Sequence, residues 1–182
     1  VRFVETPLDG LLLVELDPFT DARGSLARTF DHDEFAARGL VTDFPQWSTS
    51  FNRDAGTLRG LHYQADPHGE TKLVRCTRGA VFDVAVDLRP GSPTRGRWWG
   101  VELSADDARQ LYIPIGFAHG FQTLVDGSEI LYAMGARYRA EEQRGARWDD
   151  PAFAIDWPAP PEGRERVISD RDRAHPLQEA TA

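Results

Sequence analysis

The run 71-TKLVRCTRGAVFDVAVDL-88 holds two strands back to back. TKLVRCTR (71–78) and AVFDVAVDL (80–88) are rich in valine and leucine and are parted only by the RGA turn around Gly79, the pattern of strands joined through a tight connection. Comparable runs recur as LLLVELD (11–17), WWGVELS (98–104), RQLYIP (109–114), FQTLV (121–125) and EILYAMGARY (129–138). Between them lie RPGSPTRG, SADDA, PIGFAHG and VDGSE, all readable as turns or loops. Strands spaced by about ten residues with such breaks predict an all-β sandwich or barrel. One short helix is expected over DHDEFAARGL, with an acidic first turn and Gly39 as its stop. Ser104 ahead of Ala-Asp-Asp is expected to cap a single helical turn. PAPPEGRER (158–166) reads as a loop too short to divide domains, so residues 1–182 are expected to form one domain with a tail fraying from about Pro176.

Bulk properties narrow the function. Hydrophobic residues are 41% and charged residues 27% of the 182, an ordinary folded composition. The net charge of −8 argues against a general binder of nucleic acid or of an anionic membrane. A few arginines in a cleft would still suit a small anionic ligand. The lone cysteine, Cys76, permits no intrachain disulfide and fits a reducing compartment. No apolar run reaches membrane-spanning length and the start lacks a leader pattern. The expected location is the cytoplasm.

GTLRGLHYQ (56–64) is otherwise fit for a sheet but carries Arg59 and His62. Strand alternation separates them to opposite faces. A bulge at Gly60 would bring both to one cavity; without it, Arg59 serves a neighbouring surface. In TKLVRCTR, Lys72 shares the more apolar face with Val74 and Cys76, so it is expected to point inward. The alternative is an ammonium that snorkels to the rim. In EILYAMGARY, Tyr132 lies inward with Ile130 and Met134. His62, Lys72, His119, Tyr132, Tyr138, Arg59 and Asp83 thus form a set of ionisable or polar groups on or beside strands. Histidine, lysine and tyrosine together suit proton abstraction beside a ketone. Histidine acts as base near neutral pH, an ammonium stabilises the enolate oxygen, and a phenol returns a proton to the opposite face. Taken singly each has a plainer role: His119 can hold a turn, Tyr132 can be core, and Asp83 can serve a strand edge rather than bind substrate.

Four motifs carry a resemblance. RGLHYQ, KLVRCTRGAVFDVAVDLRPGSPT, YIPIGFAHGFQTL and RWDDPAFAIDWP, in this order, closely resemble the dTDP-4-dehydrorhamnose 3,5-epimerase family, from about Leu8 to Asp172. The resemblance implies a cupin-type double-stranded β-helix, or jelly roll, with a few short helices. It implies a homodimer that exchanges N-terminal segments, and epimerisation at C3, C5 or both of a nucleotide-linked 4-keto-6-deoxy sugar without metal or coenzyme. His62 would be the base, Asp172 the acid that orients it, Tyr132 the opposite-face acid and Lys72 the enolate stabiliser. Arg59 and His119 would lie near sugar and pyrophosphate. Arg23 would reach a phosphate of the partner subunit's substrate. Gln46 and Tyr138 would lie on the nucleotide side.

Leu26, Arg28, Ser48 and Arg137 depart from the family pattern, all on the nucleotide side, so a thymidine nucleotide is the default expectation only. The strongest rival is a metal-dependent cupin with His62, Glu70 and His119 as ligands. Against it, Gln64 stands where a second histidine is usual, and Lys72 and Arg59 would repel a dication. A 3,4-ketoisomerase relative and a non-catalytic sugar-nucleotide binder are further alternatives.

Overall fold

A computed structural model of the chain describes residues 1–178. Its strands are β1 (Arg2–Glu5), β2 (Leu12–Glu15), β3 (Phe19–Asp21), β4 (Gly24–Leu26), β5 (Gln46–Asn52), β6 (Leu58–Gln64), β7 (Lys72–Arg78), β8 (Ala80–Asp87), β9 (Trp98–Ser104), β10 (Arg109–Ile113), β11 (Phe117–Thr123), β12 (Ser128–Met134) and β13 (Gln143–Gly145). Two short helices, α1 (His32–Ala36) and α2 (Asp170–Arg173), complete the list with one 3₁₀ turn at Ala140–Glu142. Six strands form one sheet in the order β1-β2-β10-β7-β12-β5. Five form a second, β13-β6-β11-β8-β9, and β3-β4 is a separate hairpin. All pairings within the sheets are antiparallel. The architecture is the expected cupin-like jelly roll. Among the described residues no helix is long and apolar enough to cross a membrane.

Alternation explains how the sheets face each other. Val74 and Cys76 of β7, Leu111 and Ile113 of β10 and Ile130 of β12 pack against Val81 and Ala85 of β8 and Phe117 and Phe121 of β11. Burying one such side chain stabilises by about 1.5–3 kcal/mol. The opposite parity of β7 is also covered: Leu73 joins Leu12, Val14 and Tyr112 under Phe35 of α1. Val84 and Val86 of β8 lie under Ala146, Phe153 and Trp157. Both faces of β8 are therefore dry, which is why its sequence is almost continuously apolar. Helix α1 starts where Asp31 accepts from the amides of Asp33 (3.1 Å) and Glu34 (3.2 Å). Gly39, with φ +69°, follows its end.

The structure corrects several sequence expectations. PIGFAHG is not all loop, because β11 begins at Phe117 and runs fully buried through His119 and Gly120. Ser104 does not open a helical turn. Its Oγ accepts from the Asp107 amide and the Asp107 carboxylate accepts from the Ser104 amide, both at 3.1 Å, and the chain then enters β10. Strand β5 (QWSTSFN) escaped notice because as a sheet edge it stays polar. At the far end, the Gln178 amide donates to Asp150 Oδ2 at 2.6 Å; the rest of the expected tail, 179–182, lies outside the described residues.

The decisive local feature is in β6. His62 pairs with His119 and Arg59 with Phe121, so Gly60 and Leu61 together oppose the single residue Gly120. This is the bulge that turns Arg59 and His62 to the same side. Gly60 has φ +120°. A Cβ there would sit 2.6 Å from Gly120 Cα and 2.8 Å from the His119 carbonyl oxygen, both backbone atoms that cannot swing away. Gly60→Ala should therefore cost about 3 kcal/mol, combining backbone strain with overpacking. Urea denaturation measures it; a loss below about 1 kcal/mol would show that β6 and β11 do not need this close approach.

Candidate active site

Between the sheets, beyond the apolar core, lies a cavity of about 260 Å³. Its walls come from different sheets. Arg59 and His62 of β6 and His119 of β11 face it from the five-stranded sheet, and Lys72 of β7 with Tyr132 and Met134 of β12 from the six-stranded sheet. Tyr138 and Gln143 are at its border, joined by a 2.6 Å bond from the Tyr138 hydroxyl to Gln143 Oε1.

His62 is held from behind. Its Nε2 is 2.7 Å from Asp172 Oδ1, and Asp172 Oδ2 accepts from the Gly60 amide at 3.1 Å. Asp172 lies 110 residues along the chain, in α2, whose start Ser169 caps by accepting from the Asp172 amide at 3.1 Å. Burial is the largest influence on the Asp172 carboxyl and pushes its pKa up; the bond to His62, the attraction of that ring when charged and the Gly60 amide outweigh it and hold it below the usual carboxylate range. Asp172 is thus the acceptor and His62 Nε2 the donor, and in the neutral ring Nδ1 would hold the lone pair.

A second imidazole–carboxylate pair stands beside it. His119 Nε2 is 3.0 Å from both oxygens of Asp83. Asp83 is fully enclosed, so it sits behind His119 rather than in the cavity wall, which corrects its expected placement against substrate. The His119 ring meets Tyr132 edge-on at 5.9 Å. Burial, then the Asp83 charge, raise the Tyr132 phenol above its ordinary value, with Arg59 opposing. The phenol therefore stays protonated at any working pH. Lys72 points inward as its strand parity predicts. It does not snorkel: its Nζ is 3.1 Å from Glu70 Oε1 and donates to the His62 carbonyl at 3.2 Å.

Arg59 Nε donates to Asn52 Oδ1 at 2.7 Å, which anchors the guanidinium at the edge strand β5. Gln46 is not in the cavity wall; its Oε1 accepts from the Tyr138 amide and so holds the loop that presents Tyr138. Arg23 is not in the cavity of its own chain. It lies at the tip of the exposed β3–β4 hairpin, bonded to Asp21. Of the rival metal set, His62, Glu70 and His119 all line the cavity, with Asp172, Lys72 and Asp83 as their respective ion-pair partners. Among the described residues the cluster with metal-ligand proximity is instead His62, Asp172 and His175. Sequence reasoning missed His175, Phe121 and Gln143; the last lies in a segment with no strand pattern, and the first is three residues from Asp172 in a stretch read as tail.

A family model described as dTDP-4-dehydrorhamnose 3,5-epimerase matches residues 5–179. The chain belongs to that family. Among curated relatives, the dTDP-4-dehydrorhamnose 3,5-epimerase of Sinorhizobium fredii is 44% identical over 164 residues, covering 90% of this chain and 83% of the relative. Among solved structures, the Bacillus anthracis epimerase with TDP and PPi bound superimposes with a TM-score of 0.92 at 40% identity, covering 97% of this chain and 99% of that one. The Legionella pneumophila dTDP-6-deoxy-D-glucose-3,5-epimerase in complex with dTDP-4-keto-L-rhamnose gives 0.90 at 38% identity, over 97% and 92% of the two chains. As a member of this epimerase family the chain is an isomerase-class enzyme.

The electrostatics generate a stability prediction. A carboxyl whose folded pKa lies below its unfolded value, about 3.9, adds stability that is present above that value and lost as pH falls through the folded one. Asp172→Asn should lower stability at neutral pH and flatten the decline between pH 5 and the acid limit. Urea denaturation across that range measures it. Parallel pH curves for the two proteins would mean the Asp172 charge adds nothing to the fold.

Proposed function

We propose that the protein inverts carbon centres flanking the ketone of a dTDP-linked 4-keto-6-deoxyhexose, at C3, C5 or both, in deoxysugar biosynthesis. One observation supports this above the others: His62 and Tyr132 stand on different sheets yet line one cavity. A sugar ring between them would meet a base on one face and an acid on the other.

His62 Nδ1 takes the proton from the carbon beside the carbonyl, and the C–H electrons move into the carbonyl to form an enolate. Lys72 lies beside the base and stabilises the enolate oxygen. The Tyr132 hydroxyl then protonates the carbon from the other side. The centre is inverted, leaving an imidazolium and a phenolate that exchange protons with solvent before the next event. Carbonyl and ring oxidation states are unchanged, so the steps require no redox partner. Asp172 orients His62 and stabilises its charged form. Arg59 and His119 line the approach for sugar and pyrophosphate, and Tyr138 with Gln46 behind it borders the nucleotide side.

Arg23 enters through a partner. Its hairpin exposes Phe19 and Leu26, with 69% and 76% of their surfaces free, which suits a segment that docks on a second copy of this chain. The single cysteine and the nucleotide-sugar substrate fit a cytoplasmic dimer.

Deuterium incorporation from solvent, read by NMR at C3 and C5 separately, tests the roles. His62→Ala should slow exchange by about 10²–10⁴-fold; unimpaired exchange would remove it as base. Tyr132→Phe should reduce inverted product more than first-step exchange, and equal losses would contradict the two-face assignment. Arg23→Ala and His62→Ala proteins, each inactive, should regain about a quarter of wild-type activity when refolded together one to one, because one site in four combines both intact residues. No recovery would argue against a shared site.

A further inference from the structure

Behind the catalytic base lies a second histidine to which the reaction as described gives no task. His175 follows α2 by two residues, and its ring meets that of His62 edge-on at 5.7 Å. Its Nε2 is 3.7 Å from Asp172 Oδ1, the same oxygen that holds His62 at 2.7 Å. That Nε2 is buried with no hydrogen-bond partner among the described residues. Native interiors seldom leave such a nitrogen unpaired, and a ring shift of under about 1 Å would bring this one to hydrogen-bond distance of the carboxylate.

The site is shaped for the ring. Gly145 of β13 is the register partner of His62. A Cβ on Gly145 would lie 2.3–2.5 Å from three atoms of the His175 imidazole. Gly145 carries no positive φ, so its lack of a side chain serves space and not backbone conformation. Strand β13 thus leaves open, beside the base, the volume that His175 fills.

We propose that His175 is a positioning residue of the epimerase, whose Nε2–H shares Asp172 Oδ1 with His62 and limits how strongly that carboxylate retains a proton on the base. This rests on the assignment of His62 as base. The chemistry is a competition: a carboxylate oxygen that accepts a second N–H bond is a weaker acceptor for the first. A lone Asp172 would favour the imidazolium, which cannot abstract a proton. With His175 sharing the oxygen, the geometry of the pair is kept while His62 is left free to cycle. Burial and the His62 charge favour the neutral form of His175, against the pull of Asp172, so it acts as an uncharged donor. The charged groups acting on it are Asp172 and Arg171 of the helix and His62 of β6, and from β13 it is Gly145 that lies against its ring.

Three variants separate donation from filling. His175→Leu fills the space without a donor, His175→Gln supplies an N–H, and Gly145→Ala displaces the ring without removing any titratable group. None alters the other charged or titratable groups around the cavity, Arg59, Glu70, Lys72 and His119 with Asp83 behind it. The direct readout is the titration midpoint of the His62 ring proton by NMR in substrate-free enzyme. His175→Leu and Gly145→Ala should raise that midpoint by about half a pH unit, a roughly threefold gain in proton affinity, and the acid limb of kcat/KM should move up with it. His175→Gln should restore both. An unchanged midpoint in His175→Leu and Gly145→Ala, or a Gln variant no different from the Leu variant, would overturn the proposal. The NMR titration needs no turnover, so an absence of epimerisation in the wild-type protein would count against the proposed function and leave this readout intact.

Discussion

The site depends on where one imidazole is held. Asp172 grips His62 with one oxygen and the neighbouring Gly60 amide with the other, so a single carboxylate fixes both the base and the irregular backbone that presents it. The bond joins residues 110 positions apart and fastens α2 to β6 of the five-stranded sheet. It would be a poor bargain as structure alone, because a buried carboxylate is stabilising only when its partners replace the water it loses. Here those partners are the His62 imidazole and the Gly60 amide.

From that bond the remaining geometry follows. A roll of two facing sheets has an interior that side chains fill at one end and leave open at the other. In this chain the filled end is apolar and the open end carries groups bonded in pairs: His62 with Asp172, His119 with Asp83, Lys72 with Glu70. Each pair satisfies groups that would be costly to bury alone. Each also puts at least one member in the cavity wall. Because the sheets are separate walls, the His62 imidazole and the Tyr132 phenol reach the cavity from different sheets without any loop having to place them, as the proposed inversion requires. The inversion chemistry is in this sense a property of the fold as well as of the residues.

Much of this is legible in the sequence, and the parts that are not have physical causes. The paired apolar runs around Gly79 announce strands because β8 is covered on both faces, while β5 and β13 are too polar or too short to announce themselves. Strand parity places Lys72 and Tyr132 inside, since neither strand is irregular near them. It fails for Arg59 and His62 because the bulge lies between them, and only Gly60 hints at it. PIGFAHG reads as a loop because glycine, proline and histidine are turn-like locally; burial between β6 and β8 overrides that preference. Asp172 looks like one charge among several in SDRDR, and the family resemblance, not its setting in the chain, singles it out. His175 has no sequence signal, because what marks it is the empty space over Gly145.

The claim at the centre is that one sugar ring lies between His62 and Tyr132. A crystal structure with the dTDP-linked 4-keto-6-deoxy sugar bound to the Tyr132→Phe protein tests it most directly. The account predicts His62 Nδ1 within about 3–3.5 Å of a ring carbon flanking the carbonyl, the phenyl ring of residue 132 over the opposite face, and Lys72 Nζ at the carbonyl oxygen. A ring with both residues on the same face, or a sugar bound outside the space between the two sheets, would contradict it.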